Sequence, residues 1–331
     1  MATVNTAYVK LQDLHLTRGN QNALKFNGAH DVSAVNCAMD WASFAGVNVS
    51  AGTYNLLMDG GTVNNSGLDG GDGDGIGIGN EGPANHDIDI QDMDIYANGH
   101  LALGNNISLG LNTSGTYPYN ILINGNTIRN GNFNSSGITL EVGSNVTVQY
   151  NLILNNPLNG IYIYSYLTSP PTVSVYVYNN TIVGNGDYGI FAGSVAGTTQ
   201  ITAKNNIIWN TAAGYAEMNY DNTLGGTLTF ASDYNNIYNT VASGAVREID
   251  GHASGPVSLA TWTANTGYDA HSVSGNPLFT NAGANDFTLQ AGSPAIKAGV
   301  YIPGVNLMNP PDIGALQKAR PSGNALMFSI P

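Results

Sequence analysis

The sequence predicts an all-β fold, a parallel β-helix (solenoid) of about nine coils, and two features of the chain indicate it. The first is a repeat, because an apolar residue recurs at steps of 23 to 33 residues, a period typical of solenoids. The second is an asparagine two places before each of the last five repeats. The apolar positions are Leu16, Met39, Val63, Ile95, Ile128, Ile153, Ile182, Ile208 and Ile237.

The recurring asparagines predict an internal asparagine ladder along the solenoid. They are Asn126, Asn151, Asn180, Asn206 and Asn235. Asparagine tolerates a left-handed backbone and can hydrogen-bond to the coils above and below, which suits the bend of each coil. Because a buried amide without partners is costly, we expect each rung to bond to the next. The ladder is architectural and locates no active site.

Every coil divides into three short strands separated by turns. In the best-marked coil the strands are 161–164, 173–178 and 181–183, followed by a loop back to Gly189. Alternating apolar and polar residues mark each strand. Since one coil cannot bury its apolar face alone, stacked coils must share a continuous core.

The two ends of the chain depart from the repeat. Residues 8–16 already form a strand of the first coil, and no helix precedes them to cover it. An uncovered strand edge invites association, so we expect an upstream domain or a partner subunit there. Residues 1–240 are assigned to the coils, and 241–331 to C-terminal coils, a cap and a tail of the same domain.

Composition fits a secreted solenoid and excludes some classes of partner. The 331 residues include 42 glycines, and 9 Lys and Arg against 22 Asp and Glu give a net charge of −13. Nucleic acids and anionic membranes bind clustered cations, so neither is an expected partner. No apolar run is long enough for membrane insertion, and the single Cys37 is expected to be a small core residue. We expect a secreted or cell-surface protein, although the sequence shows no signal peptide.

The C-terminal part carries a more specific signal, in the segments NPLFTNAGANDFTLQAGSPAIKAG and PPDIGALQ. These segments resemble the C-terminal part of bacterial secreted right-handed parallel β-helix proteins of the pectate-lyase-like superfamily. The resemblance covers residues 8–240 by pattern and 276–317 by motif. It implies a right-handed coil and a polysaccharide partner. The superfamily includes lyases, hydrolases, epimerases, tailspikes and non-catalytic adhesins, so it leaves the chemistry open.

In proteins of this kind a sugar groove follows the strands that begin here with a Gly-Ile step. The aligned strands are GVNVS, GIGIG, HLALG, GITLE, GIYIY and GIFAG. Their outward rows are Asn48, Gly77, Ala102, Thr139, Tyr162 and Phe191, then Ser50, Gly79, Gly104, Glu141, Tyr164 and Gly193. These rows predict a trough leading to an aromatic platform. Because sugars stack on aromatic rings, Tyr162, Tyr164 and Phe191 are the candidate substrate-binding residues, unless they are ordinary strand formers.

The loop NNSGLDGGDGDG gathers three carboxylates, Asp69, Asp72 and Asp74, among glycines. Glycines let the backbone turn tightly, and carboxylate oxygens are the ligands that Ca²⁺ prefers. The loop is therefore a candidate Ca²⁺ site, although it matches no known calcium loop in full. A solvated acidic loop is the alternative.

Catalytic candidates project from the same face. Asp74 and Glu141 lie two coils apart, which predicts a separation on the order of 10 Å. Inverting glycosidases place their two carboxylates at a similar distance of roughly 6.5 to 9.5 Å. His100 replaces the usual glycine at the rim and could move a proton near neutral pH. The alternative is that the three are unrelated surface groups.

Charge bears on the choice of reaction. Lyases that act on uronic acids use Lys or Arg, and the predicted trough shows neither. The later segment REIDGH contains Arg247, and we interpret it as a loop with local ion pairs. The sequence therefore predicts a polysaccharide-active protein that cleaves a neutral glycan by hydrolysis rather than by β-elimination. The alternative is a non-catalytic glycan-binding, adhesin, fibre or self-assembling module.

Overall fold

The computed structural model describes residues 1–69, 73–79, 82–100, 104–110, 116–166, 172–209, 211, 215–239, 245–250 and 254–316. Over these residues the chain forms an all-β parallel solenoid, which confirms the predicted fold class. Two long sheets run the length of the rod, and the strands are numbered along the chain.

The first sheet contains 11 strands within the described residues. They are β1 (Ala2–Val4), β4 (Leu24–Asn27), β6 (Val47–Ser50), β8 (Ile76–Ile78), β11 (Ile107–Leu109), β14 (Ile138–Leu140), β17 (Ile161–Ser165), β20 (Ile190–Ser194), β23 (Met218–Asp221), β26 (Val246–Ile249) and β27 (Ser254–Val257). All neighbours pair in parallel except β26 and β27, which are antiparallel.

In the second sheet the chain bends within each coil, so that each coil from β9 onward contributes two strands to it. The first four strands are β2 (Lys10–Gln12), β3 (His15–Thr17), β5 (His30–Asp40) and β7 (Tyr54–Asn64). On one side of the bend follow β9 (His86–Gln91), β12 (Tyr119–Asn124), β15 (Ser144–Gln149), β18 (Val173–Tyr178), β21 (Thr198–Lys204) and β24 (Thr227–Asp233). On the other side are β10 (Asp94–Tyr96), β13 (Thr127–Arg129), β16 (Leu152–Leu154), β19 (Thr181–Val183), β22 (Ile207–Trp209) and β25 (Asn236–Tyr238).

The strand register confirms the predicted repeat. Leu16 pairs with Met39, and the same column continues through every predicted apolar position to Ile237. The solenoid makes about seven turns, slightly fewer than the nine coils predicted.

The core lies inside the coils and is filled by side chains from all three strands. In one coil Ile76, Ile88 and Ile95 are all 0% exposed. Strand β18 shows the alternation that produces this, with three valines buried and the side chains between them half-buried on the outer face. Burying one such side chain stabilises the fold by about 1.5 to 3 kcal/mol.

The predicted asparagine ladder is present. Asn180 accepts hydrogen bonds from the backbone N–H and side-chain amide of Asn151, both at 3.0 Å. It donates in turn to Asn206 Oδ1 at 3.1 Å and to the carbonyl oxygen of Val148 at 2.9 Å. The same pattern links Asn126 and Asn235 to their neighbours, so these buried amides are satisfied by one another.

The Gly-Ile step of the first sheet has a steric cause. A Cβ atom at Gly160 would lie 2.5 Å from Ile182 Cγ2 and 2.6 Å from the carbonyl oxygen of Gly189. Gly137 and Gly189 face the same obstruction from the next coil. Neighbouring coils therefore approach too closely here for a side chain.

One predicted strand is wrong. The strand that stacks between β8 and β14 is β11, because Ile76 pairs with Ile107 and Ile107 with Ile138; the predicted strand HLALG lies partly outside the described residues. The outward row therefore contains Ser108 where Ala102, outside the described residues, was expected. Asn106 takes the place in the glycine column that was assigned to His100, and it stacks between Gly75 and Gly137.

The C-terminal end of the core is covered by a helix, α1 (Leu259–Thr266). Trp262 is 0% exposed, and its ring lies 5.2 Å from that of Tyr220 and 5.6 Å from that of Tyr268. The carboxylate of Asp269 accepts hydrogen bonds from Trp262 Nε1 at 2.9 Å and from Asn235 Nδ2 at 3.2 Å. Helix α1 and Asp269 therefore close the C-terminal end of both the core and the asparagine ladder.

Residues 276–316, here named the clasp, fold back along the outside of the rod. They include the short antiparallel pair β28 (Phe279–Asn281) and β29 (Asp286–Leu289). Phe279, Phe287 and Ile313 form a second buried cluster with strand residues of β16, β19 and β22. Asn205 exchanges two hydrogen bonds with Val300, at 2.8 and 2.9 Å. The clasp thus covers the outer side of the later coils.

Cys37 is buried in β5, as predicted for a core residue. Within the described residues, no helix is long and apolar enough to cross a membrane.

Candidate functional site

The structure brings the three predicted aromatic residues together on the outer face of the first sheet. Tyr162 pairs with Phe191 across β17 and β20, and Tyr164 with Gly193. The ring centroid of Tyr162 lies 5.4 Å from that of Tyr164 and 4.9 Å from that of Phe191. All three rings are half-buried. We name these three residues the platform.

The local sequence explains why the rings lie on the outer face of the rod. Outward residues of β17 and β20 alternate with core isoleucines, so the rings face away from the core. A Cβ at Gly193 would lie 3.0 Å from Tyr164 Cδ2 and 3.1 Å from Phe191 Cε1. The glycine therefore leaves the space that the rings occupy.

Further aromatic residues surround the platform, and sequence reasoning missed them. Tyr166, 44% exposed, lies 4.7 Å from Tyr164. Tyr188 lies 5.8 Å from Phe191 and 5.4 Å from Tyr215. Tyr188 and Tyr215 come from turns beside the strands, where the period-two pattern carries no signal.

Two carboxylates flank the platform along one outward row. Glu141 directly precedes Tyr164 in this row, and Asp221 follows Gly193 in register. Burial, neighbouring tyrosines and the charge of Glu141 all raise the pKa of Tyr162. Burial, Tyr166 and Asp221 raise the pKa of Tyr164. The hydroxyls therefore stay protonated and can donate hydrogen bonds.

A buried amide adjoins the platform. Asn219 pairs with Phe191 in the outward row and is 1% exposed. Neither its Oδ1 nor its Nδ2 atom has a hydrogen-bond partner among the described residues. Since buried polar groups in proteins are nearly always satisfied, this amide indicates a missing polar partner.

A cation lies on this face beyond the predicted trough. Arg247 pairs with Asn219 in the same outward row, and its Nη1 donates to the hydroxyl of Tyr188 at 2.9 Å. The sequence interpretation assigned REIDGH to a loop, but Val246–Ile249 form strand β26. Two charged residues inside that strand hid its period-two pattern.

Asp74 lies in the turn before β8, away from the platform. Its Oδ1 accepts a hydrogen bond from the backbone N–H of Asn105 at 2.8 Å. Its Oδ2 lies 3.4 Å from the position that a Cβ on Gly77 would take. Glu141 is two strands and two residues beyond Gly77, which places it roughly 12 Å away. This is a separation of backbone positions, and the catalytic roles of both residues stay predictions.

The predicted open trough is wrong in its first half. Gly77, Ser108 and Thr139 belong to the outward row but are buried. At Gly77 the covering group is the carboxylate of Asp74. Asn48 before this stretch and Tyr162 after it are half-buried.

His100 lies between β10 and β11, in a turn rather than on a strand of the first sheet. It is exposed, and its backbone N–H donates to the carbonyl oxygen of Ser66 at 3.1 Å. The adjacent Gly99 bonds to Gly73, so His100 and Asp74 belong to neighbouring turns. A catalytic role for His100 stays a prediction.

The predicted Ca²⁺ site is only partly described. Asp69 is exposed, and its backbone N–H donates to Ser43. Asp72 lies outside the described residues. Among the residues that the structure describes, no group of three acidic, His or Cys side chains is placed to hold a metal ion.

Comparisons with known proteins agree with this architecture. The structure is similar to the crystal structure of pectate lyase Pel9A, with a TM-score of 0.55 and 15% identity over 92% of this chain and 70% of that chain. A second similar structure is the Dettilon tailspike protein gp208, with a TM-score of 0.41 and 11% identity over 77% of this chain and 60% of that chain. At such low identities the likeness to pectate lyase shows the fold alone.

The comparison of the sequence with curated proteins finds no match. The model of one family, described as right handed beta helix region, matches residues 2–169 and 102–239. These residues make up well over half of the chain and contain the stacked coils described above. The chain therefore belongs to the right handed beta helix family.

Proposed function

We propose that this chain binds a polysaccharide along the outer face of its first sheet, with the platform as the central contact. The observation that carries the proposal is the cluster of three half-exposed rings within 5.7 Å of one another. Rings of this kind offer apolar faces to the C–H surface of a sugar, while tyrosine hydroxyls bond its polar groups.

The groups beside the platform supply polar recognition. Asn219 offers one donor and one acceptor that no described residue uses, which fits a ligand with several hydroxyls. Arg247 adds a cation at the end of the same row. The site therefore combines apolar and polar contacts along a line of coils, as an extended glycan requires.

Hydrolysis is a second candidate function, favoured by the carboxylates in the outward rows. Glu141 and Asp221 are three strands apart, or roughly 14 Å, and Asp74 lies roughly 12 Å from Glu141. Both are separations of backbone positions, and both exceed the roughly 6.5 to 9.5 Å between the carboxyl groups of inverting enzymes. Binding is therefore supported better than cleavage, and Arg247 removes the charge argument against β-elimination.

The test is a panel of soluble polysaccharides, with binding measured by titration calorimetry and products followed by mass spectrometry. We expect one glycan class to bind and Tyr162→Ala to weaken its binding at least tenfold. Tyr176→Ala is the matched control, because Tyr176 is also a half-buried outward tyrosine and stacks against Tyr178 at 5.8 Å. Equal losses in both variants, or no binding to any glycan, would refute the proposal.

A second variant tests the buried amide. Asn219→Ala should weaken glycan binding without lowering the free energy of unfolding, because the side chain has no described partner to lose. Cleavage that is abolished by Glu141→Gln or Asp74→Asn, while binding persists, would establish the hydrolytic candidate.

A further inference from the structure

An open groove crosses three successive turns near the N-terminal end of the rod. Its volume is about 480 Å³, and it is lined by Arg18, Gly19, Asn20, Trp41, Ser43 and Leu68. These turns follow β3, β5 and β7. Backbone hydrogen bonds from Ser43 to Gly19 and from Asp69 to Ser43, at 3.0 and 3.1 Å, hold them together. The groove is therefore fixed by three stacked coils.

Arg18 supplies a cation to this groove. Three arginines lie within the described residues. Arg129 makes a two-pronged ion pair with Asp94, at 2.8 and 3.0 Å, and Arg247 donates to Tyr188. The exposed guanidinium of Arg18 has no partner among the described side chains. In a chain with a net charge of −13, a guanidinium free to take a planar anion is a distinctive feature.

Trp41 supplies an aromatic ring held in an unfavourable backbone conformation. It follows the third strand of its coil with φ of 54°. Arg18 and Ala97 have the same left-handed conformation in this column, where other coils have Asn65, Asn130, Asn155 and Gly184. A bulky residue with positive φ is a genuine outlier, and observed strain of this kind points to a function.

Aromatic residues with positive φ elsewhere in the chain have partners that hold them. The hydroxyl of Tyr150 donates to Val305 at 2.9 Å, and the ring of Tyr234 stacks on His271 at 4.7 Å. Trp41 is 45% exposed and has no ring partner among the described residues. Its partner is therefore expected outside the described chain.

We propose that the groove of Arg18 and Trp41 binds an anionic sugar unit, carrying a carboxylate or a sulfate. The guanidinium would take the anion through two parallel hydrogen bonds. The indole ring would cover an apolar sugar face. Asn20 and Ser43 add hydrogen-bonding groups for hydroxyls. An apolar ligand would not use the cation, and a bare phosphate would not use the ring.

This groove is separate from the platform. The turns that line it lie next to β6, and β17 is four strands further along the sheet, or roughly 20 Å away. The proposal does not require the platform to bind glycan, and the two sites can be tested apart.

The test is titration calorimetry at low salt with three oligosaccharides of matched length: a uronan, its uncharged methyl ester and a sulfated glycan. We expect an anionic oligosaccharide to bind at least tenfold more tightly than the ester. Arg18→Asn and Trp41→Asn should each remove that preference. Both variants should fold with an unchanged or higher melting temperature, because asparagine is the residue that other coils place at this left-handed position.

The controls remove a positive charge and an aromatic ring that lie outside the groove. Lys10→Gln removes one exposed positive charge from the same end of the rod, and Phe133→Ala removes a ring that is 80% exposed. Both should leave binding to this groove unchanged. Uronan and sulfated glycan distinguish the two anions. The proposal is overturned if neither anion binds, if Arg18→Asn and Trp41→Asn bind as before, or if an acidic peptide binds more tightly than both glycans.

Discussion

At the scale of single residues, the outer faces of the sheets carry charges in unusually apolar places. Asp89 projects outward from β9, and its register neighbours on either side are Leu57 and Leu122. Burial, together with the nearby charge of Asp87, raises the pKa of Asp89 to about 6. This carboxylate is therefore destabilising at neutral pH.

Asp89→Asn should stabilise the protein at pH 7 by about 1 to 2 kcal/mol, a value reduced for the partial exposure of the group. Because the folded-state pKa is raised, the folded protein keeps a proton that the unfolded chain loses between about pH 4 and pH 6. Stability therefore falls as pH rises through that window, and the gain from the variant should vanish at pH 4. Urea unfolding at both pH values measures it.

Asp286 is a control for which the expected change in stability has the opposite sign. Hydrogen bonds from Thr288 lower its pKa, so it stabilises the fold above its unfolded pKa. Asp286→Asn should lower stability at pH 7 and leave it unchanged well below pH 4. Stabilisation by both variants would contradict the assignment of the Asp89 effect to burial.

At the scale of the element, the ladder and the glycine column fix how coils stack. Asn180 takes part in five hydrogen bonds with its neighbours. The hydrogen bonds of each ladder asparagine are complete only when the next asparagine is present, so the ladder stabilises a single register of the stacked coils. The sequence reveals this element because an asparagine that recurs once per coil, two places before a buried apolar residue, is typical of a stacked bend.

Asn180→Ala should lower the free energy of unfolding by about 2 to 4 kcal/mol, since it leaves buried partners unsatisfied. Asn236→Ala is the matched control, because Asn236 is equally buried at 0% exposure but its side chain has no described partner. Chemical denaturation should show a much smaller loss for the control. A similar loss in both would mean that burial, rather than the ladder, sets the effect.

Other elements could not be found from the sequence, for identifiable reasons. HLALG and NISLG share the same alternation, and only stacking between Ile76 and Ile138 selects the second. The sequence interpretation located the platform because tyrosines followed recognisable strands. It missed Asn219 and Arg247 because a buried outward amide and a charged strand carry no pattern. A left-handed tryptophan is likewise invisible without coordinates.

At the scale of the whole molecule, the two ends of the rod differ. The C-terminal end of the core is closed by Trp262 and bonded through Asp269. At the N-terminal end, β2 and β3 pair only with β5 among the described strands, and Leu14 is 40% exposed. Stacked repeats are stabilised chiefly by their nearest neighbours, so the end with one neighbour opens first.

Hydrogen exchange should therefore be fastest in β2 and β3 and slowest in β15 and β18, which have neighbours on both sides. Mass spectrometry of peptic peptides measures it. Trp262→Ala should speed exchange in β24 and β25 while leaving β2 and β3 unchanged. Uniform exchange along the rod would contradict end fraying.

The clasp has a mechanical consequence. It is hydrogen-bonded to the rod at Tyr150, Asn179 and Asn205, so it stiffens the later coils. Among the described residues, no segment like the clasp covers the earlier coils. A load applied across the rod should therefore bend it in its first half, where the Arg18 and Trp41 groove spans three turns, and a ligand seated there would brace the more compliant part.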